Sequence, residues 1–69
     1  MGALDFCQIM EKLLAEYAGD EVGRDSLRAK LQASEYCDIA RAQFHCGASW
    51  RVVEQLLRRA LLEITGRVT

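Results

Sequence analysis

The chain contains no proline and only one histidine. The first absence bears on its secondary structure, and the second on whether it can be an enzyme. Proline interrupts helices, so its absence from 69 residues leaves long helices unbroken. With one histidine, no glycine-rich phosphate loop and no nucleophile spaced to meet a base on a helix, we expect no enzymatic activity. A chain of this length forms one domain at most, with no room for a deep pocket.

Cysteine is also scarce, since only Cys7, Cys37 and Cys46 are present. Small secreted proteins carry a denser and even-numbered set, so we expect a reducing, cytoplasmic location. No paired CxxC spacing occurs that would make these thiols and His45 a zinc site, and we expect no metal or cofactor. Cys7 and Cys37 are therefore predicted to be small core residues.

Long apolar runs are absent as well. None approaches the roughly 20 residues that a membrane-spanning helix requires. The first five residues lack the basic run and apolar core of a secretion signal. We therefore expect a chain that is neither exported nor embedded in a membrane.

The net charge is only −1, but the charges are unevenly distributed. Residues 1–40 carry four cations against eight acids, whereas residues 41–69 carry five arginines against two acids. This asymmetry is consistent with a basic binding face, with head-to-tail attraction between two copies, or with scattered surface charge.

Apolar residues recur every three or four positions along the whole chain, which predicts an all-α domain of three or four helices. The predicted helices cover residues 5–18, 25–33, 35–45 and 49–65. Residues 19–24 are predicted to be a connector because two glycines and an acidic pair interrupt the period. Suitable N-cap and stop residues flank these ranges: Asp5, Asp25, Ser34 and Ser49 for the starts, Gly19 and Gly66 for two of the ends.

Residues 25–45 leave two possibilities. In one unbroken helix, Leu27 and Leu31 would lie nearly opposite the apolar stripe that follows them. Either the chain breaks near residue 33 and Ser34 caps a new helix, or one helix is buried on two sides; we favour the break. The aromatic residues all lie on apolar stripes and are predicted to pack in the core: Phe6, Tyr17, Tyr36, Phe44 and Trp50.

The last helix has apolar residues on two sides. Its main stripe predicts a core face: Trp50, Val53, Leu57, Ala60, Leu61 and Ile64. Val52 and Leu62 project from the far side and Leu56 lies at the border, a distribution typical of a helix that packs against two neighbours. The second side is our candidate partner-binding surface, with nearby arginines suited to an acidic partner: Arg51, Arg58 and Arg59.

The segment DIARAQFHCGASWRVVEQLLRRA resembles the bacterial helix-turn-helix. That resemblance implies a DNA-binding regulator whose recognition helix covers residues 49–60 and presents Ser49, Trp50, Arg51 and Glu54 to the groove. The spacing differs from that motif, because the turn glycine is expected near Phe44, three residues before Gly47. DNA binding depends mainly on cations that neutralise phosphates, and a chain with a pI near 5.7 has no cations in excess.

These observations together predict a small, non-enzymatic protein that acts by occupying a surface of a larger protein. Small inhibitors, anti-activators and chaperone or adaptor proteins, including those of phages, act in this way, and the prediction rests on analogy with them. Because the chain lacks disulfides or a metal to stabilise so small a core, we also expect a homodimer, formed mainly through the first or the last helix. DNA binding is the alternative function.

Overall fold

The computed structural model describes residues 5–66, which fold into four α-helices joined by short connections. The helices are α1 (Phe6–Tyr17), α2 (Glu21–Gln32), α3 (Glu35–His45) and α4 (Trp50–Thr65). No strand occurs between residues 5 and 66, so the prediction of an all-α domain with three or four helices is confirmed, and the number is four. The predicted domain limits of 1–69 reach beyond this described range at both ends.

α1 begins at a reciprocal cap made by two residues three apart. The Asp5 carboxylate accepts a hydrogen bond from the Gln8 backbone N–H at 2.8 Å, and the Gln8 side-chain oxygen accepts one from the Asp5 N–H at 2.9 Å. This capping box satisfies two backbone donors that the first turn of a helix cannot pair. Asp5 is therefore the N-cap that the sequence predicts.

α2 begins at Glu21, so the prediction of a connector over residues 19–24 followed by an N-cap at Asp25 is wrong. The N-cap is Asp20, whose carboxylate accepts a hydrogen bond from the Gly23 N–H at 3.0 Å. A Cβ on Gly23 would lie only 2.8 Å from that carboxylate, so the glycine gives the cap room. Gly23 therefore lies inside the helix rather than breaking it.

The chain breaks between α2 and α3, as we favoured from the sequence. α2 ends at Gln32, and the Ser34 hydroxyl then accepts a hydrogen bond from the Tyr36 N–H at 3.1 Å to cap α3. The break lets the two segments turn different faces to the same core. Leu27 and Leu31 of α2 are buried, as is Ala40 of α3.

The turn from α3 to α4 depends on a left-handed glycine. Gly47 has a φ of 91°, and its N–H donates to the Phe44 carbonyl while the Ala48 N–H donates to the Gln43 carbonyl. This pair of bonds is the Schellman arrangement, which satisfies the last carbonyls of a helix. α4 follows from its N-cap Ser49.

Replacing Gly47 with alanine should lower the free energy of unfolding by about 1–2 kcal/mol, because a Cβ disfavours the left-handed conformation. Urea unfolding followed by circular dichroism measures the change. Gly19→Ala is the matched control, since Gly19 has no positive φ and no atom within 4 Å of the added Cβ. Its stability should stay the same or rise slightly. Equal losses in the two variants would contradict this role for Gly47.

The core lies where the four helices meet, and all of its buried side chains in the described range are apolar. α3 and α4 make the most extensive contact of any pair, and α1 packs on both α2 and α4. The buried residues are Phe6, Ile9, Met10, Leu13, Leu14, Leu27, Leu31, Cys37, Ala40, Val53, Leu57, Ala60 and Leu61. Phe44 adds an edge-to-face contact with Phe6, with ring centroids 6.0 Å apart, which joins α3 to α1.

Two side chains predicted to lie in the core are exposed instead. Trp50, the first residue of α4, is 47% exposed. Cys7 is exposed on one flank of the α1 stripe, whereas Ile9 on the other flank is buried. Cys37 is buried as predicted.

Candidate interaction surface

α4 separates its residues into a buried side and an outer side. Its buried residues Val53, Leu57 and Leu61 lie within one sector at 100° per residue, and each is fully buried. Four of the six predicted contact residues point away from that sector. They form what we call the α4 outer surface: Arg51, Val52, Arg59 and Leu62.

Val52 and Arg51 are both exposed on this surface. Val52 is 43% exposed, although valine is among the residues most often buried. The Arg51 guanidinium lies over the Trp50 ring, 5.6 Å from its centroid, and makes no ion pair within the described chain. Arg51 is therefore free to meet an acidic group on another molecule.

Arg58 instead pairs with carboxylates of its own chain. It forms ion pairs with Glu16 of α1 and with Glu54 of its own helix, both at 3.1 Å. Partial burial lowers the pKa of Arg58, but the hydrogen bonds to Glu54 and Glu16 outweigh this and raise it overall. That Arg58 serves an acidic partner stays a prediction, and within the chain its charge links α4 to α1.

The remaining predicted residues differ in accessibility. Leu56 is half-buried and packs against the core, so its position at the border of the two sides places it mainly inward. Leu62 is also half-buried. Arg59 is well exposed and has only a 3.4 Å contact with Glu63, four residues along the helix. Such exposed pairs are weak, so Arg59 remains accessible to a partner.

Three exposed apolar residues were missed by the sequence reasoning. Trp50 was predicted on the core stripe, Val22 in a connector, and Ile39 of α3 only within the helix-turn-helix resemblance. Val22 is 78% exposed and Ile39 is 46% exposed. Ile39 projects from the side of α3 away from the buried Ala40. Val52 was identified because it projects from the far side of α4, and the same argument applied to α3 identifies Ile39.

Another ion pair holds α1 against α2 at the edge of the bundle. The Arg28 guanidinium contacts Glu11 through two nitrogens, at 2.6 and 2.7 Å, and Asp25 through a third at 2.6 Å. The hydrogen bond from Arg28 lowers the pKa of Glu11, and the hydrogen bonds to both carboxylates raise that of Arg28. These groups are satisfied within the fold and offer little to a ligand.

The thiols do not form a reactive or metal-binding cluster in the described range. No three His, Cys, Asp or Glu side chains between residues 5 and 66 lie close enough together to hold a metal ion. Burial raises the pKa of the Cys37 thiol, with Arg41 opposing the shift, so Cys37 is held in its protonated form. Cys7 and Cys46 are free and exposed.

None of the four helices in the described range is both long enough and apolar enough to cross a membrane. No protein-family model, curated protein sequence or solved structure is detectably similar to this chain.

Proposed function

We propose that this protein is a small, non-enzymatic binding module that occupies a surface of a larger protein. It would act as an inhibitor, an anti-activator or a chaperone or adaptor. The α4 outer surface would make the contact, with Val52 as the apolar anchor and Arg51 as the cation for an acidic group. The cytoplasm remains the proposed location.

The exposed Val52 beside an unpaired Arg51 is the observation that carries this proposal. Arginine is enriched among the residues that contribute most to binding, and an apolar side chain beside it also gains from leaving water. The buried side of α4 already meets the needs of the core. Val52 and Arg51 are therefore available for contact without disturbing the fold.

We also propose that the protein forms a homodimer, and α4 is better suited to this than α1. The exposed positions of α1 are small or polar: Cys7, Gln8, Glu11, Lys12, Ala15 and Glu16. α4 instead exposes Val52. Of the two helices suggested by the sequence, only α4 has a large exposed apolar residue in the described range.

Val52→Asp should reduce capture of the larger protein at least tenfold, about 1.4 kcal/mol of binding free energy. The tagged protein is used to capture partners from a lysate of its native cells, and the recovered protein is quantified after nuclease treatment. An aspartate in the first turn of a helix interacts favourably with the helix dipole, so the fold should survive. Val52 is preferred over Leu62 because the half-buried Leu62 would also lose core contact.

Val22→Asp is the matched control, because Val22 is another exposed valine in the first turn of a helix. It should leave capture of the larger protein intact. If Val52→Asp and wild type capture the same protein equally well, with circular dichroism confirming that both are folded, the α4 outer surface is not the binding site.

DNA binding is the second candidate, favoured by the shape of the α3 to α4 connection. Four residues containing Gly47 separate the two helices, as in helix-turn-helix motifs, and Trp50 and Arg51 are exposed at the start of α4. Glu54 is less suitable for reading bases, since it is half-buried and pairs with Arg58. Nucleic acid recovered only without nuclease, and lost in Arg51→Ala, would favour DNA binding over the protein-binding proposal.

A further inference from the structure

We propose that a second copy of this chain docks on the start of α4 through the first turn of α2. The two turns are alike in form and opposite in charge. α2 begins with Glu21 followed by the exposed Val22, and the first turn of α4 contains Arg51 followed by the exposed Val52. We call these the acidic turn (Glu21, Val22) and the basic turn (Arg51, Val52).

The two valines provide the apolar part of the contact. Val22 has the largest exposed fraction of the large apolar side chains in the described range, 78%, and Val52 is 43% exposed. A single exposed valine is common on a protein surface. Two of them, each beside a charge of opposite sign, make two surfaces that fit one another in both polarity and charge.

The charges of both turns are unused within their own chain. Neither Glu21 nor Arg51 makes an ion pair in the described range. Arg28 and Arg58 each pair with two carboxylates of the same chain, whereas Arg41 and Arg59 each make a single, more exposed pair. Glu21 and Arg51 are therefore available to pair between copies.

One charged neighbour of each turn is engaged elsewhere in the chain. Asp25 lies one turn after Glu21, but its carboxylate is held by Arg28 at 2.6 Å, so Glu21 supplies the charge of the acidic turn. Near Arg51, the carboxylate of Glu54 is drawn towards Arg58 at 3.1 Å. The acidic turn thus presents negative charge beside its valine, and the basic turn presents positive charge beside its own.

Each copy carries both turns, so two copies can make the contact twice in a closed pair. The contact area at two first turns is small, so association should be weak and depend on salt. While it lasts, the second copy covers Val52 and excludes the larger protein. This inference rests on the proposed function, because the second copy and the larger protein would both bind to Arg51 and Val52.

Light scattering on the purified protein at low salt tests the inference. The mass of the wild type should rise from one chain towards two as its concentration increases from about 10 µM to about 1 mM, a range suited to weak association. Glu21→Arg and Arg51→Glu should each weaken association at least tenfold, because like charges then face one another. A wild type that stays monomeric over the whole range would overturn the proposal.

Mixing the two single variants gives the sharper result. The arginine introduced at position 21 of one variant can pair with the glutamate introduced at position 51 of the other, and the unchanged Glu21 and Arg51 can pair as in wild type. An equal mixture of Glu21→Arg and Arg51→Glu should therefore associate about as well as wild type, although neither variant does so alone. No association in the mixture, with both variants folded by circular dichroism, would overturn the proposal.

Glu35→Arg is the matched control, since Glu35 is also an exposed acid at the first position of a helix and makes no ion pair in the described range. It should associate like wild type, and an equal loss in Glu35→Arg and Glu21→Arg would count against the acidic turn. The test is separate from that of the proposed function, because Glu21→Arg leaves α4 unchanged. That variant should capture the larger protein at least as well as wild type.

Discussion

Leu57→Ala should leave most of the chain unfolded at room temperature. Leu57 is fully buried on α4, and truncating a buried leucine costs about 2–5 kcal/mol, from lost transfer energy and from the cavity that remains. A domain of this size seldom has more than about 3–5 kcal/mol of stability in total. Circular dichroism at 222 nm should therefore show a large loss of helix, and urea titration should find little folded baseline.

Leu62→Ala is the control for this variant, since it makes the same change on the same helix with the same effect on helix propensity. Leu62 is half-buried, so its truncation should cost about 1 kcal/mol or less. Both variants should be measured at one low protein concentration, because self-association would otherwise add to the apparent stability. Equal losses at the two positions would mean that α4 does not bury the side that we describe.

Ala40→Leu should destabilise the protein by about 1–3 kcal/mol, because it overfills the core where Leu57→Ala leaves a cavity. Ala40 lies in the middle of α3 with no exposed surface, and α3 makes the most extensive contact with α4. Extra methylene groups inserted into a close-packed interior force side chains out of their preferred rotamers or move the backbone. Thermal unfolding should show a melting temperature several degrees lower than that of wild type.

Ala42→Leu separates the packing effect from the change of residue type. Ala42 is exposed on the same helix, so leucine there should alter stability by no more than about 0.5 kcal/mol. If Ala40→Leu were as stable as Ala42→Leu, the interior around Ala40 would have room for a leucine and would not be close-packed.

Local signals in the sequence predicted most of the helices well. Asp5, Ser34 and Ser49 occupy the N-cap positions expected of them, and Gly66 ends α4 with a φ of 69°. Ser49 makes no side-chain cap bond, but the other signals act within about one turn of helix, through bonds between residues two to five apart. Such signals can be recognised without knowing the rest of the fold. The prediction failed at Gly23, where the cap at Asp20 made a glycine acceptable inside α2.

The candidate surface was predicted less completely, because exposure depends on neighbours distant in sequence. The off-stripe position of Val52 correctly indicated an exposed residue. The same argument did not reveal that Glu16 of α1 lies 3.1 Å from Arg58 and forms an ion pair with it. Nor did it show that Trp50, which has core periodicity, is 47% exposed.

The sequence alone determined that this protein is a set of amphipathic helices, because periodicity and caps are local properties of the chain. Only the tertiary structure decided which arginines and valines remain free. The packing of α1 beside α4 engages Arg58, and the arrangement of the described helices leaves Val22 78% exposed. Both outcomes depend on where one helix lies relative to another, and no single helix carries that information.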